Sequence, residues 1–236
     1  MKIAVFCYNF KHYKSQLGLQ NLLYHEHRPS LVLGADRVDL NFYKSKIRIT
    51  PRDLFLHHPK DICSRYDLNY HAIRHNSQAT ANLIKENDID LGIILGSRIL
   101  KKHIIDSFNV GVLNLHPGIL PDNRGLDTIK WAIIKKIKQG VTSHLIDSNI
   151  DRGRLLDVQA IDIYRDDTLL DLYMRILNKE QRMLIESLEI LGNNFDINSL
   201  ELLSNGENYH RSVPVEIESD LFNMFETYKK EFTKGD

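Results

Sequence analysis

The chain has 236 residues, of which 42% are hydrophobic and 26% are charged, which is typical of a globular protein with a buried core. Lysine plus arginine and aspartate plus glutamate both number 31, so the formal net charge is zero. This balance argues against a protein that works mainly by binding nucleic acid, because such proteins usually carry a basic excess. Two cysteines, Cys7 and Cys63, are too few for a disulfide framework.

The N-terminus also limits the class of protein. Residues 1–10 contain one lysine and a short apolar run, without the small-residue cleavage pattern of a signal peptide. The sequence has no run of about 18 consecutive apolar residues, so no membrane span is predicted. We therefore expect a cytoplasmic protein with no membrane partner.

Strand-like and helix-like segments alternate along the chain. In chain order we predict a strand over 2–7, a helix over 15–27, a strand over 30–37, an irregular stretch or hairpin over 38–60, a helix over 78–87 that Ser77 caps, a strand over 90–96, a helix over 101–107, a strand over 110–116, a helix over 126–138, strands over 140–147 and 154–163, a helix over 167–191 and a last helix over 217–230.

This alternation predicts an α/β fold with a mostly parallel central sheet, in which ligands bind beyond the carboxyl ends of the strands. We predict a domain over 1–191 and a C-terminal extension, a loop plus a short helix, over 192–236. The apolar side of the last helix (Leu221, Phe222, Met224, Phe225 and Tyr228) packs either on the core or on a second subunit, so a homodimer is one expectation.

The most informative segment runs from Asn114 to Pro121. In a strand over 110–116, Asn114 and His116 share one face because side chains repeat every second residue. An amide and an imidazole side by side suit acyl transfer, in which they stabilise the negative charge on the carbonyl oxygen. An attacking amine also needs a base, and a carboxylate serves. Asp151, Asp147 and Asp157 are all candidates, and such an Asn–His pair also occurs for purely structural reasons.

Other site classes have less support in the sequence. The pairs His25–His27 and His57–His58, or His116 with Asp151, offer metal ligands, but no known metal-binding spacing accompanies them, so we expect no metal. Neither a P-loop nor a G-x-G-x-x-G motif occurs, so nucleotide binding of those kinds is not predicted.

At this point the order of motifs resembles a known family. Asn114–Pro121, then Arg124-Gly125, then Asp151-Arg152-Gly153 is similar to the formyltransferases that use 10-formyltetrahydrofolate. The likeness extends over about residues 66–190 and includes His144, at a position where the family often has histidine.

The resemblance implies a Rossmann-like catalytic domain and 10-formyltetrahydrofolate as co-substrate. Asn114 and His116 would stabilise the tetrahedral intermediate, while Asp151 would orient His116 and help to take the amine proton through water. The folate would lie against residues 96–100 and the loop around 146–151. The resemblance thus predicts the following cofactor-binding residues: Ser97, Arg98, Ile99, Leu100 and Asp147.

Two positions depart from the family pattern. Gly118 replaces a frequent serine, which removes a hydroxyl. Arg152 replaces a common glycine, so the loop that carries Asp151 is expected to be stiffer.

The acceptor is predicted from what the chain lacks. Glycinamide ribonucleotide enzymes have a glycine-rich phosphate turn after the first strand, whereas residues 7–13 here are bulky and contain no glycine. The enzymes that act on tRNA have a further C-terminal domain and a basic surface. A nucleotide-linked deoxy-amino sugar, of the kind used in lipopolysaccharide O-antigen biosynthesis, fits best. The predicted substrate-binding residues are Tyr8, Phe10, Lys11, Arg124 and Lys130.

Three alternatives stay open. The acceptor could be another small amine such as glycinamide ribonucleotide. The same three residues could send water to the formyl carbon, as in a 10-formyltetrahydrofolate hydrolase. A folate-binding relative without activity is the third.

Overall fold

The computed structural model describes residues 1–38, 45–149, 151–192, 196–204 and 209–233. The strands in these ranges are β1 (Ile3–Tyr8), β2 (Leu31–Ala35), β3 (Tyr70–Ala72), β4 (Leu91–Ile94), β5 (Gly111–His116), β6 (Arg124–Gly125), β7 (Gly140–Ile146), β8 (Gly153–Ala160) and β9 (Tyr209–His210). The helices are α1 (Tyr13–Tyr24), α2 (Pro59–Arg65), α3 (Gln78–Glu86), α4 (Lys102–Ile105), α5 (Thr128–Lys135), α6 (Leu169–Gly192), α7 (Val215–Glu218) and α8 (Leu221–Phe232).

One central sheet has the strand order β3-β2-β1-β4-β5-β7-β8. The neighbours from β3 to β5 are parallel, whereas β7 runs antiparallel to both β5 and β8. This confirms the predicted α/β class with a mostly parallel sheet. The strand order reverses direction between β1 and β4, which is where open sheets of this type bind ligands.

Helices cover both faces of the sheet, and the alternation of side chains along β1 shows how. Ile3, Val5 and Cys7 point into a core shared with α1 and α6, while Ala4 and Phe6 point into a second core shared with α3 and α4. All five residues are buried. Because both faces are covered, the strand reads as one continuous apolar run.

Several elements were not predicted. Helix α2 begins at Pro59, with His58 as its N-cap, and follows a described stretch, residues 45–58, that has no helix or strand. Strand β3 is only three residues long and half-buried, so it has little periodicity to detect. Strands β6 and β9 have two residues each and form their own sheet from distant parts of the chain. Residues 39–44 of the predicted irregular stretch lie outside the described residues.

The last helix packs on the protein itself. Leu221, Phe225 and Tyr228 of α8 are almost completely buried in the same core as β5 and α6. Most of the predicted apolar side thus packs on the core, whereas Phe222 is 59% exposed. A homodimer stays a prediction. None of the helices among the described residues is both long and apolar enough to cross a membrane.

Candidate active site

Strand β5 positions the first two residues of the site. Val112 points into the core against α4, and Asn114 and His116 follow on the same face of the strand. Helix α4 has only four residues, and Asn114 stays partly exposed at the carboxyl end of β5. The predicted amide and imidazole are therefore neighbours on one face.

His144 fixes the orientation of the Asn114 amide. The two residues are cross-strand partners on β5 and β7, and Nδ2 of Asn114 lies 3.1 Å from Nε2 of His144. On the other side of the ring, Nδ1 of His144 lies 3.2 Å from the carbonyl oxygen of Arg152. Because a carbonyl only accepts, Nδ1 carries the proton and Nε2 accepts from Asn114. The second N–H of the Asn114 amide is left for a ligand.

The charge state of His144 agrees with this arrangement. Its side chain is completely buried. Burial, and to a lesser extent the nearby His116, lowers the pKa of His144 to about 4. The ring is therefore neutral near pH 7 and keeps Nε2 as an acceptor.

His116 lies between two oxygen atoms. Its Nε2 donates to the carbonyl oxygen of Asn123 at 2.7 Å, and its Nδ1 lies 3.5 Å from Oδ1 of Asp151. The second distance exceeds that of a normal hydrogen bond. A proton on Nδ1 would face the carboxylate and remain available to a developing oxyanion nearby.

The turn between β7 and β8 brings Asp151 to His116. Asp151 has a φ of 49°, and its Oδ2 accepts the backbone N–H of Gly125 at 2.6 Å. Two residues later, Gly153 has a φ of 121°, and a Cβ there would lie 1.9 Å from the carbonyl oxygen of Leu145. Only glycine fits at that point. The Asp-x-Gly spacing therefore has a steric cause.

Gly118 contributes to the packing around His116. A Cβ at this position would lie 2.8 Å from the carbonyl oxygen of Asn123 and 3.1 Å from Nε2 of His116. Any side chain would therefore press on the hydrogen bond between these two residues. The departure from the family's serine affects the geometry of the imidazole as well as removing a hydroxyl.

A cavity of about 360 Å³ opens beside the ends of β1 and β2. Tyr8 and three arginines (Arg37, Arg74 and Arg98) are among the residues that line it. The hydroxyl of Tyr8 donates to the carbonyl oxygen of Ser97 at 3.1 Å, which joins the ends of β1 and β4. The cavity therefore lies beside the switch point of the sheet, and its three arginines outnumber its one carboxylate, that of Asp36.

The predicted folate segment borders this cavity with only part of its length. Arg98 lines the cavity, and Ser97 contacts His75 at its edge. Ile99 is 63% exposed, whereas Leu100 is buried in the core and has only its backbone to offer. Asp147 lies in the turn that carries Asp151, where its Oδ1 accepts the N–H of Asn149 at 2.7 Å.

The predicted substrate residues are divided between surface and interior. Tyr8 and Phe10 stack with their ring centroids 4.8 Å apart, and Lys11 is exposed beside them. Arg124 is buried on β6. Lys130 is buried as well, and its ammonium donates to Glu218 at 2.5 Å and to Ser45. This ion pair corrects the role predicted for Lys130, because a buried and paired ammonium does not reach a diphosphate.

Sequence reasoning also missed an ion pair near β5 whose carboxylate, Glu180, is buried. Nζ of Lys14 lies 2.6 Å from Glu180 of α6 and 3.2 Å from the carbonyl oxygen of Leu115. Glu180 stands between Leu177 and Met183 on the buried side of its helix. A carboxylate on an apolar face was the available signal, because a buried charge needs a partner. Among the described residues, no group of three or more ligands could hold a metal ion.

Comparison with known proteins assigns the family. The model of the formyl transferase family matches residues 1–188. The chain belongs to this family. The match confirms the resemblance that the motifs indicated.

Curated relatives match a part of their own length only. The methionyl-tRNA formyltransferase of Flavobacterium johnsoniae is 32% identical over 119 residues, which are 50% of this chain and 38% of that protein. The match therefore leaves out more than half of the relative.

Solved structures are similar in fold at low sequence identity. The phosphoribosylglycinamide formyltransferase of Anaplasma phagocytophilum has a TM-score of 0.64 and 18% identity, over 88% of this chain and 94% of that chain. A sugar N-formyltransferase from Shewanella sp. FDAARGOS_354 has a TM-score of 0.60 and 19% identity, over 95% and 88%.

A third structure contains bound ligands. The formyltransferase PseJ from Anoxybacillus kamchatkensis, in complex with UDP-4,6-dideoxy-4-formamido-L-AltNAc and tetrahydrofolate, has a TM-score of 0.53 and 20% identity. The match covers 74% of this chain and 91% of that chain. These likenesses show that the chain has the formyltransferase fold.

Proposed function

We propose that this protein transfers a formyl group from 10-formyltetrahydrofolate to the amino group of a nucleotide-linked deoxy-amino sugar. The observation that carries the proposal is the constellation at the end of β5, where His116 lies beside Asn114 and 3.5 Å from Asp151. Family membership supports the formyl group, and the tetrahydrofolate bound to PseJ supports the donor.

The chain's own residues suit each step of the transfer. The amine attacks the formyl carbon, and negative charge develops on the formyl oxygen. The free N–H of Asn114 and a proton on Nδ1 of His116 stabilise that oxygen. Asp151 orients His116 and accepts the amine proton through water. The oxyanion then re-forms the C=O bond as the C–N bond to the folate breaks, and Asp151 returns the proton through water to the folate nitrogen.

The arginine-rich cavity suits the folate. The glutamate tail of tetrahydrofolate carries carboxylates, and Arg37, Arg74 and Arg98 supply cationic donors of the matching kind. Ile99, which is 63% exposed, offers an apolar surface next to these charges.

The region after β1 favours a nucleotide sugar over glycinamide ribonucleotide. His12 caps α1 with its own ring, which contacts both the N–H and the hydroxyl of Ser15. A phosphate therefore finds less open backbone there. The stacked rings of Tyr8 and Phe10 instead offer an aromatic surface of the kind on which nucleobases stack.

Purified protein incubated with 10-formyltetrahydrofolate and separate acceptors tests the proposal. The acceptors are a panel of nucleotide-linked amino sugars, glycinamide ribonucleotide and methionyl-tRNA, and the product is measured by mass spectrometry. We expect a mass gain of one formyl group on an amino sugar. Turnover with glycinamide ribonucleotide or the tRNA alone would contradict the acceptor, and formate release without any acceptor would indicate a hydrolase.

Cytoplasmic location also stays a prediction, checked by fractionation of the source cells.

A further inference from the structure

Residues of the C-terminal extension pack against the loop next to the candidate site. Strand β9 pairs in parallel with β6, so that Arg124 lies opposite Tyr209 and Gly125 opposite His210. The N–H of Leu126 also donates to the carbonyl oxygen of His210 at 2.9 Å. A segment remote in sequence therefore holds the loop that follows the Asn-x-His motif.

Gly125 connects this pairing to the carboxylate of Asp151. Its N–H donates to Oδ2 of Asp151 at 2.6 Å, while Oδ1 of the same carboxylate faces His116. Gly125 has a φ of +98°, and a Cβ there would lie 2.1 Å from the carbonyl oxygen of His210. The backbone of His210 is thus packed directly against the residue whose N–H orients Asp151.

Two side chains of the predicted catalytic domain, Asp127 and Trp131, bind the segment that follows β9. Oδ2 of Asp127 accepts the N–H of Val213 at 3.0 Å. The indole N–H of Trp131 donates to the carbonyl oxygen of Arg211 at 2.7 Å, and its ring stacks on His210 with centroids 4.9 Å apart. Both hydrogen bonds go to backbone groups, so they fix the path of the chain.

A buried ion pair anchors the chain just beyond this segment. Lys130 and Glu218 are 2.5 Å apart, with side chains only 4% and 2% exposed. Burial opposes ionisation of Glu218, but hydrogen bonds from Lys130, Ser45 and the backbone of Lys46 outweigh it and lower its pKa to about 2. The anchor therefore stays charged at neutral pH.

We infer that residues 209–213 position the carboxylate of Asp151 through the N–H of Gly125, with Asp127 and Trp131 as positioning residues. The inference rests on the proposed function for the step it serves. The segment holds β6 in place, β6 presents one N–H to Oδ2, and Oδ1 is thereby directed at His116. Loosening the segment lets the carboxylate turn, which lowers the rate of the chemical step but leaves substrate binding intact.

Trp131→Phe and Asp127→Gly test this positioning role. The first removes the N–H donor but keeps an aromatic ring on His210. The second removes the carboxylate at a residue with a φ of 50°, a conformation that glycine adopts without strain. We expect kcat to fall about three- to tenfold in each, with both KM values within about twofold of wild type.

Matched variants separate positioning from general destabilisation. Asp127→Asn keeps an acceptor for the N–H of Val213 and should retain kcat within about twofold. Tyr24→Phe changes an aromatic side chain that is 83% exposed, and Glu231→Gln breaks the surface pair with Lys136, so both should behave as wild type. Thermal unfolding measures the stability of every variant. A fall in kcat for Asp127→Asn as large as for Asp127→Gly would overturn the inference.

Amide hydrogen exchange gives a readout that does not depend on activity. The N–H of Gly125 should exchange faster in Trp131→Phe than in wild type, with no change for the buried strand β1. Unchanged exchange at Gly125, or faster exchange with an unchanged kcat, would overturn the positioning role. Failure of the wild-type protein to transfer a formyl group to any acceptor would instead refute the proposed function, and the exchange measurement would still decide whether residues 209–213 hold Gly125.

Discussion

From β3 to β5 the strands run parallel, and polar side chains at their carboxyl ends line an open cavity. From β5 to β8 the strands run antiparallel, and the polar side chains are mostly buried and joined to one another. Arg98 represents the first region, with an exposed guanidinium. His144 represents the second, with no exposed surface. The difference teaches that one part of the sheet is open enough to admit a ligand, whereas in the other part polar side chains hold one another in place.

The antiparallel pairing of β5 and β7 makes the buried, hydrogen-bonded arrangement of polar side chains possible. Asn114 and His144 lie directly opposite each other on β5 and β7, at a separation that suits a side-chain hydrogen bond. The turn that follows β7 returns Asp151 to His116 within a few residues. A parallel neighbour would need a long crossover before the chain came back.

Among the substitutions that test this comparison, Asn114→Ala should have the largest effect on activity. It removes the N–H donor of the buried region, and we expect kcat to fall by ~10²–10³ with little change in the KM for folate. Steady-state kinetics measures this, with the exposed Asn223→Ala on α8 as the control. A loss confined to KM would remove the distinction between a region that admits a ligand and a region that holds reacting groups in place.

His144→Phe should change the pH dependence of stability. The pKa of His144 falls from about 6.5 in the unfolded chain to about 4 in the folded one, so the unfolded chain binds more protons between these pH values. Wild-type stability therefore decreases as the pH falls from 6.5 to 4, by on the order of 3 kcal/mol from this residue. Urea unfolding across that range should show a shallower decrease for the variant. Equal slopes in the two proteins would contradict a neutral, buried His144.

Arg98→Ala tests the open region. Removing one cationic donor from the cavity should raise the KM for 10-formyltetrahydrofolate about tenfold and leave kcat within about twofold. Lys102→Ala on the nearby helix α4, whose side chain is 72% exposed, is the control. A fall in kcat without a rise in KM would place Arg98 among the reacting groups instead.

Gly118→Ala should have the smallest effect. Its Cβ would press on the hydrogen bond between Asn123 and His116, and we expect kcat to fall about threefold through the displaced imidazole. A variant with full kcat would show that the loop yields to a methyl group without moving His116.

Local patterns in the sequence predicted much of the fold. Side chains repeat every second residue along a strand, and Asn114 and His116 lie on one face as this repeat predicts. Ser77 also caps α3 as expected. Both features depend only on residues that are neighbours in the sequence. The choice of Asp151 over Asp147 needed the family resemblance, since a turn does not reveal which carboxylate it directs inward. The structure places Asp151 beside His116 and turns Asp147 towards its own loop.

Long-range contacts account for what the sequence did not predict. The pairing of Gly125 with His210 joins two-residue strands that have no periodicity of their own. The substrate-binding role predicted for Lys130 is wrong because a lysine in a helix does not show its distant partner, Glu218. In Glu180 the signal was present, since the residue interrupts an apolar face, but nothing nearby in the sequence identifies Lys14 as its partner.

The position of α8 has a consequence for how the chain is made. Leu221, Phe225 and Tyr228 belong to the same core as the strand that carries Asn114 and His116. A ribosome releases these residues only after the whole sheet has been synthesised, and domains tend to fold as units. Part of the apolar surface of the sheet must therefore stay uncovered until α8 has been synthesised and can pack on it.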